Sequence, residues 1–315
     1  GADGIPDIMN EINWGLDWLL KMNPRDGVMY NQLADDRDHI GFRMPVGDKA
    51  DYGKGAERPV YRCTGEPQGV FAHKNRATGI ASTAGKFSSA FARAAMVFRD
   101  KDPSLSQTLE DKAIAAFRYG IENPGACQTA PGRAPYFYEE DNWTDDMELA
   151  AIELYNLTGK KEYLDHAVSF GKQEPVTPWM GADTARHYQW YPFVNMGHPG
   201  IARLESGNVD KTFTAFMRRG LDTIMIRAEK NPFYVGIPFI WCSNNLVAGF
   251  ITQAHLYSEI TGDPAYAELE AAHRDWLFGC NPWGTSMIVG FPENGDWPEN
   301  SHSSYVVNGG QVWGG

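Results

Sequence analysis

The chain has 315 residues, a formal net charge of −12, 43% hydrophobic residues and 22% charged residues. This composition predicts a folded protein with a substantial core and argues against global disorder. The acidic charge argues against binding to nucleic acid, because nucleic acid phosphates are contacted by Lys and Arg. No apolar run reaches the roughly 18 residues that a membrane span needs, so no membrane partner is expected.

Apolar residues at three-and-four spacing dominate the chain and predict α-helices. The first predicted helix runs from Ile5 to Leu20, with Pro6 in its first turn. Further helices are predicted at about 79–99, 105–121, the segment after Trp143, 161–172, an irregular segment at 187–204, 209–230, 244–260 and 265–278. The β-like pieces are short and lie at 235–240 and 287–291. The sequence therefore predicts an all-α protein of about nine helices.

The segments between the predicted helices are long, and the longest covers residues 23–78. Structureless loops longer than roughly 15 residues in compact domains are usually functional or flexible. Helix pairs that alternate with long loops are typical of an α/α-toroid, in which the loops gather on one face and form a groove. Because no charged or low-complexity linker divides the chain, we predict a single domain over residues 1–315.

The sequence lacks the local patterns of several catalytic and metal sites. Its four cysteines stand far apart without a CxxC pair: Cys63, Cys127, Cys242 and Cys280. This spacing argues against a zinc ribbon and makes free or singly bridged cysteines the expectation. There is no GxSxG, no HExxH and no glycine-rich phosphate loop behind a strand. The EF-hand spacing that would reveal a calcium site is also absent.

Residues 136–159 combine aromatic and acidic side chains around the start of a predicted helix. Aromatic faces stack on sugar rings, and carboxylates bind hydroxyl groups or transfer protons, so this mixture is typical of a polysaccharide-binding groove. The candidates for substrate contact are Tyr136, Trp143 and Asp145. A structural interpretation also fits, because Asp145 with Glu148 resembles a capping-box pair and the aromatic residues could belong to the core. Gly159 is predicted to end the helix.

Further candidates lie at residues 180–193, at Trp241 and at His302. Arg186 and Trp190 stand in an aromatic-rich segment, where core packing explains the aromatics but explains an arginine less well. Trp241 stands beside polar residues at a predicted helix start, and those residues could serve only as caps. His302 lies in a predicted loop, for which simple solvation is the plain interpretation.

Glycoside hydrolysis requires two carboxyl groups that flank the scissile bond, one acting as acid and the other as base or nucleophile. The sequence offers several: Glu139, Glu140, Asp141, Asp145, Asp146 and Asp183. Their spacing does not select a pair, so the residues alone assign no catalytic group. A lyase or epimerase on a similar toroid is a further alternative, with His187 and Tyr188 as its candidate pair.

Four segments follow one another in an order found in a known family. They are Ile5 to Lys21 with its Trp-Gly-Leu-Asp-Trp core, Thr83 to Phe98, Asp145 to Gly159, and Phe278 to Phe291 with its Gly-Cys-Asn-Pro sequence. In this order they resemble glycoside hydrolase family 9, the inverting cellulase and endoglucanase family. The resemblance covers essentially the whole chain. It implies an all-α (α/α)6 barrel, here incomplete, that hydrolyses β-1,4-glucosidic bonds in cellulose-like β-glucans.

The resemblance places the family's catalytic residues outside this chain. The family's base lies in an Asp-Ala-Gly-Asp motif before the first predicted helix, and its acid is a Glu beyond Gly315. No catalytic residue is therefore assigned, and the chain itself is expected to be inactive or incomplete. The alternative is a catalytically inactive protein that only binds carbohydrate. The residues expected to contact a β-glucan polysaccharide or oligosaccharide are Tyr136, Trp143, Asp145, Arg186, Trp190, Trp241 and His302.

The resemblance also carries expectations about cofactors, location and substrate. It implies no cofactor for the chemistry and is compatible with a structural calcium. It implies a secreted or periplasmic protein, although no signal peptide is visible in the chain. Two departures favour a soluble or decorated β-glucan: Asn245 stands where the family has an arginine, and Ser303 and Ser304 follow His302 in place of His-Arg.

Overall fold

The computed structural model describes residues 4, 6–39, 49, 51–133, 140–181, 193–205, 211–239 and 243–297. The α-helices in these ranges are α1 (Asp7–Met22), α2 (Ala81–Phe98), α3 (Pro103–Glu122), α4 (Thr144–Thr158), α5 (Lys161–Gly171), α6 (Pro178–Gly181), α7 (His198–Leu204), α8 (Thr212–Ala228), α9 (Ser243–Thr261) and α10 (Ala267–Leu277). The same ranges contain strands β1 (Tyr30–Leu33) and β2 (Val60–Arg62) and a short 3-10 helix at Asp36–His39. No helix in this described part of the chain is long and apolar enough to cross a membrane.

The chain divides into two compact units. Unit one comprises Gly1–Arg37, Pro59–Glu174 and Asn195–Ile201, and unit two comprises Asp38–Arg58, Pro175–Val194 and Ala202–Gly315. Helices α1 to α5 belong to unit one, and α6 and α8 to α10 belong to unit two. Helix α7 begins in unit one and ends in unit two.

The predominance of helix in the sequence-based prediction is confirmed. The predicted helices at 79–99, 105–121 and 244–260 correspond to α2, α3 and α9, within a few residues at each end. The two predicted β-like pieces are wrong, because residues 235–239 and 287–291 form no strand. Gly236 and Pro238 interrupt the first piece, and proline cannot donate to a strand ladder.

The described part of the long segment 23–78 contains a strand pair that was not predicted. Within it, β1 pairs antiparallel with β2, and Tyr30 lies opposite Arg62. The backbone N–H of Cys63 then donates to the carbonyl of Met29 at 2.8 Å, which extends the pairing past the end of β2. These bonds join the two ends of the segment within unit one.

Helices α2 and α4 approach each other closely in unit one because α2 carries small residues on its buried face. The fully buried alanines of α2 are Ala81, Ala84, Ala92 and Ala95. At Gly85, a Cβ atom would lie 2.6 Å from the carbonyl carbon of Asp146 in α4, so a larger residue would push the helices apart. This contact sets the first turn of α4, which carries several carboxylates, against α2.

The core of unit two consists of apolar residues from α8, α9 and α10. Its fully buried members include Leu221 and Ile224 of α8 and Phe250 of α9. Glu205 fixes the start of α8, because its Oε1 accepts a hydrogen bond from the Phe213 N–H at 2.9 Å and its Oε2 accepts one from the Thr214 N–H at 3.1 Å. A carboxylate at this position binds N–H groups that have no partner within the helix and interacts favourably with the helix dipole.

A disulfide joins Cys63 and Cys127, which are 64 positions apart in the chain. Both cysteines are 3% exposed, and Asn31 Nδ2 donates to Cys127 Sγ at 3.3 Å. This is the singly bridged arrangement that the cysteine spacing predicted. Cys280 is free and exposed, and Cys242 lies outside the described residues.

Reduction of the Cys63–Cys127 disulfide should destabilise the protein. A cross-link across 64 positions restricts the unfolded chain, and this restriction contributes ~4 kcal/mol to stability. The urea midpoint of the wild type should therefore fall when dithiothreitol is added. In the control variant Cys63→Ala/Cys127→Ala, the midpoint should be low from the start and insensitive to reductant. An unchanged wild-type midpoint under reduction would contradict the prediction.

Candidate functional site

A lysine from α2 binds two carboxylates near the start of α4. Lys86 Nζ donates to Asp146 Oδ2 at 2.7 Å and also to Glu140 Oε1. Burial disfavours the charge of Lys86, but the carboxylates of Asp146, Glu140 and Asp145 outweigh this effect and raise its pKa above the usual range. The ammonium group therefore stays charged and holds the acidic residues at this end of α4.

Asp145 lies next to this ion pair and is partly buried. Burial raises the pKa of Asp145 to about 6, and the charges of Glu140 and Glu148 act in the same direction against the pull of Lys86. The capping role predicted for Asp145 is wrong. Helix α4 begins at Thr144, and its N-cap residue is Trp143, which makes no side-chain capping bond. The Asn142 Oδ1 accepts a hydrogen bond from the Thr144 N–H at 3.1 Å.

One helical turn further along α4, Glu148 forms a buried pair with the first residue of α7. His198 Nδ1 lies 2.6 Å from Glu148 Oε1, and the two side chains are 3% and 0% exposed. Burial raises the pKa of Glu148, and the charge of His198 opposes this increase. The second oxygen, Oε2, has no hydrogen-bond partner among the residues that the structure describes.

The neighbouring glycine allows this pair to form. A Cβ atom at Gly197 would lie 2.7 Å from Cγ of Glu148, which is closer than such atoms approach in proteins. A Cβ atom at Gly200 would meet Ile152 Cγ1 of α4 at 2.8 Å. The start of α7 therefore packs directly on α4 through two glycines, and this packing brings His198 to Glu148.

Glu174, which follows α5, completes the group. Burial raises the pKa of Glu174 to about 7, and the charge of Asp145 adds to this effect against His198. The resulting acidic cluster of unit one contains Glu140, Asp145, Asp146, Glu148 and Glu174 together with Lys86 and His198. Burial is the main cause of the raised pKa values of Asp145, Asp146, Glu148 and Glu174 in this cluster. Among the described residues, no group of three or more His, Cys, Asp or Glu side chains is arranged to hold a metal ion.

Trp143 lies immediately before α4, beside the acidic cluster in sequence. Its ring is half-buried and packs edge-to-face on Phe170 of α5, with centroids 5.7 Å apart. An aromatic ring held in this way loses little freedom when a ligand stacks on its accessible part.

The sequence matches the model of a family described as Glycosyl hydrolase family 9 over residues 2–310. The chain belongs to glycosyl hydrolase family 9. Endoglucanase 10 of Arabidopsis thaliana is 28% identical over 307 residues, covering 90% of this chain and 55% of that protein. Endoglucanase C of Cellulomonas fimi is 23% identical, covering 93% of this chain and 25% of that protein. The chain thus spans about half the length, or less, of these curated relatives.

Solved structures of family 9 proteins show the same fold. A metagenome-derived family 9 endoglucanase superposes with a TM-score of 0.66 at 23% identity, covering 98% of this chain and 52% of that structure. The cellulase Cel9M of C. cellulolyticum in complex with cellobiose gives a TM-score of 0.61 at 16% identity, covering 90% of this chain and 60% of that structure. The predicted fold class, the all-α (α/α)6 barrel of family 9, is therefore confirmed.

The described residues include two of the predicted substrate contacts, Trp143 and Asp145, and place both at the start of α4. Tyr136, Arg186, Trp190, Trp241 and His302 lie outside the described residues. The sequence did not reveal the cluster members Lys86, Glu174 and His198, and it offered Glu148 only as the partner of Asp145 in the capping-box alternative. One signal was available for Glu148, since a carboxylate in the apolar run Met147 to Ile152 requires a buried partner.

The pH dependence of stability should reveal the raised pKa of Glu174, which is about 7 against an ordinary value of 4.5. The folded state binds this proton more tightly than the unfolded state. The tighter binding of this proton therefore stabilises the folded state fully below about pH 4.5, and this stabilisation is lost as pH rises through about 7. Glu174→Gln removes the titrating carboxyl group. The free energy of unfolding of this variant, compared with that of the wild type at the same pH, should therefore increase from about pH 5 to about pH 8. Urea unfolding at both pH values measures the difference.

The matched control for this experiment is Glu66→Gln, which changes an exposed glutamate of unit one. Its difference from wild type should stay constant over the same pH range. A Glu174→Gln difference that also stays constant would mean that Glu174 is not held protonated in the folded state.

Removal of one partner from the buried Glu148–His198 pair should be costly. His198→Leu leaves the carboxylate of Glu148 without its partner in an apolar surrounding, so we expect a loss of about 3 kcal/mol or more in the free energy of unfolding. The double variant Glu148→Leu/His198→Leu should recover most of this loss, because no buried charge is left. Chemical unfolding of the four proteins of this double-mutant cycle measures the coupling, and additive effects of the two changes would refute it.

Proposed function

We propose that the protein acts in the hydrolysis of β-1,4-glucosidic bonds of cellulose-like β-glucans, with inversion at the anomeric carbon. The observation that carries the proposal is the family 9 match over residues 2–310, joined to an acidic cluster beside Trp143. Relatives named endoglucanases support it, as does the cellulase Cel9M solved in complex with cellobiose. The net charge of −12 suits a neutral sugar polymer better than an anionic one.

The proposed role of the acidic cluster is sugar binding, with its members divided between contact and support. Glu148 and His198 are too deeply buried to touch a polysaccharide, so they support the first turn of α4. Asp145 and Trp143 are only partly buried and are the residues proposed to meet the sugar. Asp145 would accept hydrogen bonds from hydroxyl groups when ionised, and Trp143 would stack on the apolar face of a pyranose.

The chemistry itself requires an acid that protonates the leaving oxygen and a carboxylate that activates water on the opposite face of the ring. The acidic cluster is not proposed for either role. Asp146 is bound to Lys86 at 2.7 Å and Glu148 is enclosed by the protein. Neither carboxylate is therefore positioned to approach a scissile bond and a water molecule together.

A location outside the cytoplasm, secreted or periplasmic, is part of the proposal. The disulfide between Cys63 and Cys127 supports it, because such bonds form and persist in oxidising compartments.

The proposal predicts that the first turn of α4 contributes to β-glucan binding. Asp145→Asn removes a charge-assisted hydrogen bond to a sugar hydroxyl, so the affinity for cellohexaose should fall roughly tenfold. Trp143→Phe keeps an aromatic packed on Phe170 but offers a smaller stacking face, so the loss should be smaller. Isothermal titration calorimetry measures both affinities, and chromatography of the incubated sugar measures cleavage.

The matched control is Asp111→Asn, which changes an exposed aspartate of α3 and should leave the affinity unchanged. Binding with cleavage supports the hydrolase. Binding without cleavage is the result expected if the catalytic acid and base lie outside this chain, and it is also the result expected of the alternative, a carbohydrate-binding protein that lacks activity. If the wild type neither binds nor cleaves β-glucans, the proposed function is wrong.

A further inference from the structure

Unit two contains an apolar pocket with a volume of about 110 Å³. Its floor consists of Val235, Ile237 and Trp276, which are buried, and it adjoins Ser243 at the start of α9. All of these residues belong to unit two.

Two exposed aromatic residues form the rim of this pocket. Phe239 is 73% exposed and Trp283 is 53% exposed, which is unusual for side chains with so much apolar surface. Their ring centroids lie 5.1 Å apart at an interplanar angle of 46°. Trp283 also meets the buried Trp276 edge-to-face, with centroids 6.1 Å apart. The two rim rings therefore form an accessible aromatic platform, defined here as Phe239 and Trp283, above an apolar floor.

One wall of the pocket is held by a buried histidine. His273 Nε2 accepts a hydrogen bond from the Gly236 N–H at 3.1 Å, and His273 Nδ1 lies 2.7 Å from the carbonyl of Leu269. Burial lowers the pKa of His273 to about 4, so the neutral ring donates through Nδ1 and accepts through Nε2. A Cβ atom at Gly236 would lie 2.1 Å from the carbonyl oxygen of Ile224. Any other residue at this position would therefore collide with the backbone of α8.

The other side of the platform is held by a buried asparagine. Asn281 Nδ2 donates to the carbonyls of Trp276 at 2.9 Å and Thr285 at 2.7 Å, and Asn281 Oδ1 accepts from the Trp283 N–H at 3.1 Å. One side chain therefore fixes the backbone on both sides of Trp283. Because His273 and Asn281 hold the two sides independently, the pocket is formed before any ligand arrives, which lowers the entropic cost of binding.

The chemistry of the lining selects the class of ligand. None of the described residues that line the pocket is charged, and the polar ones are Asn231 and Ser243. An ionic ligand would lose its hydration here without gaining a partner, which is unfavourable. A pyranose ring fits instead, because its C–H faces stack on aromatic rings while its equatorial hydroxyls stay at the edge, within reach of polar groups or water.

We propose that Phe239 and Trp283 form a sugar-stacking platform that takes a glucose ring of a β-glucan chain in the pocket of unit two. The proposal rests on the proposed function for its choice of polysaccharide. Phe239 and Trp283 are thus a binding site in addition to the contacts proposed for Trp143 and Asp145. The glucose ring lies against the exposed faces of the two aromatics, and Asn231 and Ser243 bind its hydroxyl groups.

The test labels the full chain with 5-fluorotryptophan and titrates cellohexaose while ¹⁹F NMR spectra are recorded. The Trp283 signal is assigned as the one that disappears in Trp283→Phe. We expect this signal to move on titration and the affinity of Trp283→Ala to fall roughly tenfold. Phe239→Ala should weaken binding as well, and its high exposure makes it a safe second variant if Trp283→Ala does not fold. Trp283→Phe should keep most of the affinity because it retains a stacking ring.

Trp14→Ala is the matched control, since Trp14 is an exposed tryptophan on α1 of unit one and should not affect affinity. Saturable binding that leaves the Trp283 signal and the affinities of both platform variants unchanged would overturn the platform and leave the proposed function intact. An equal response to the α-linked maltohexaose would overturn its assignment to β-glucan. A wild type that binds no β-glucan at all would overturn the proposed function, and the platform's ligand with it.

Discussion

The buried contact between Glu148 of α4 and His198 of α7 determines the arrangement of the acidic cluster in unit one. A carboxylate enclosed by protein is unfavourable without a partner, so the 2.6 Å contact with His198 must form for α4 to pack as it does. That contact in turn requires glycine at position 197, because a larger residue would collide with the Glu148 side chain. Asp145 and Glu174 lie near this pair, and burial together with neighbouring carboxylates raises their pKa values against the opposing charges of Lys86 and His198.

The helices could be predicted from the sequence, whereas the cluster could not. Helices α2, α3 and α9 follow apolar residues at helical spacing, and Gly159 ends α4 in the left-handed conformation that glycine adopts readily. These are local properties. The contact between Glu148 and His198 joins residues that are 50 positions apart in the chain. It depends on glycine residues that let α4 and α7 pack closely, and local periodicity does not encode such packing. The capping alternative for Asp145 failed for the same reason, since only the fold shows that α4 begins at Thr144 with Trp143 at the N-cap position.

The error at residues 235–239 has an instructive physical cause. The segment was predicted as a β-like piece, but its Gly236 N–H donates to His273 of α10, and no strand pairs with it among the residues that the structure describes. Its apolar side chains then line a pocket. The Gly-Cys-Asn-Pro sequence that supported the family resemblance has a comparable structural meaning, because its Asn281 makes four hydrogen bonds that fix the loop around Trp283. The sequence motif thus corresponds to a set of hydrogen bonds that hold the backbone of this loop in place.

The disulfide of unit one has a topological consequence. Cys63 and Cys127 enclose the whole of α2 and α3, so this helical hairpin lies within a covalent ring. The turn that joins the two helices, at residues 99–102, is exposed and is an accessible point for a protease. A cut there would open the ring without releasing a fragment, because each new chain end stays attached through the sulfur bridge. The two helices of the hairpin would then stay covalently connected after a nick that divides an unbridged chain into two pieces.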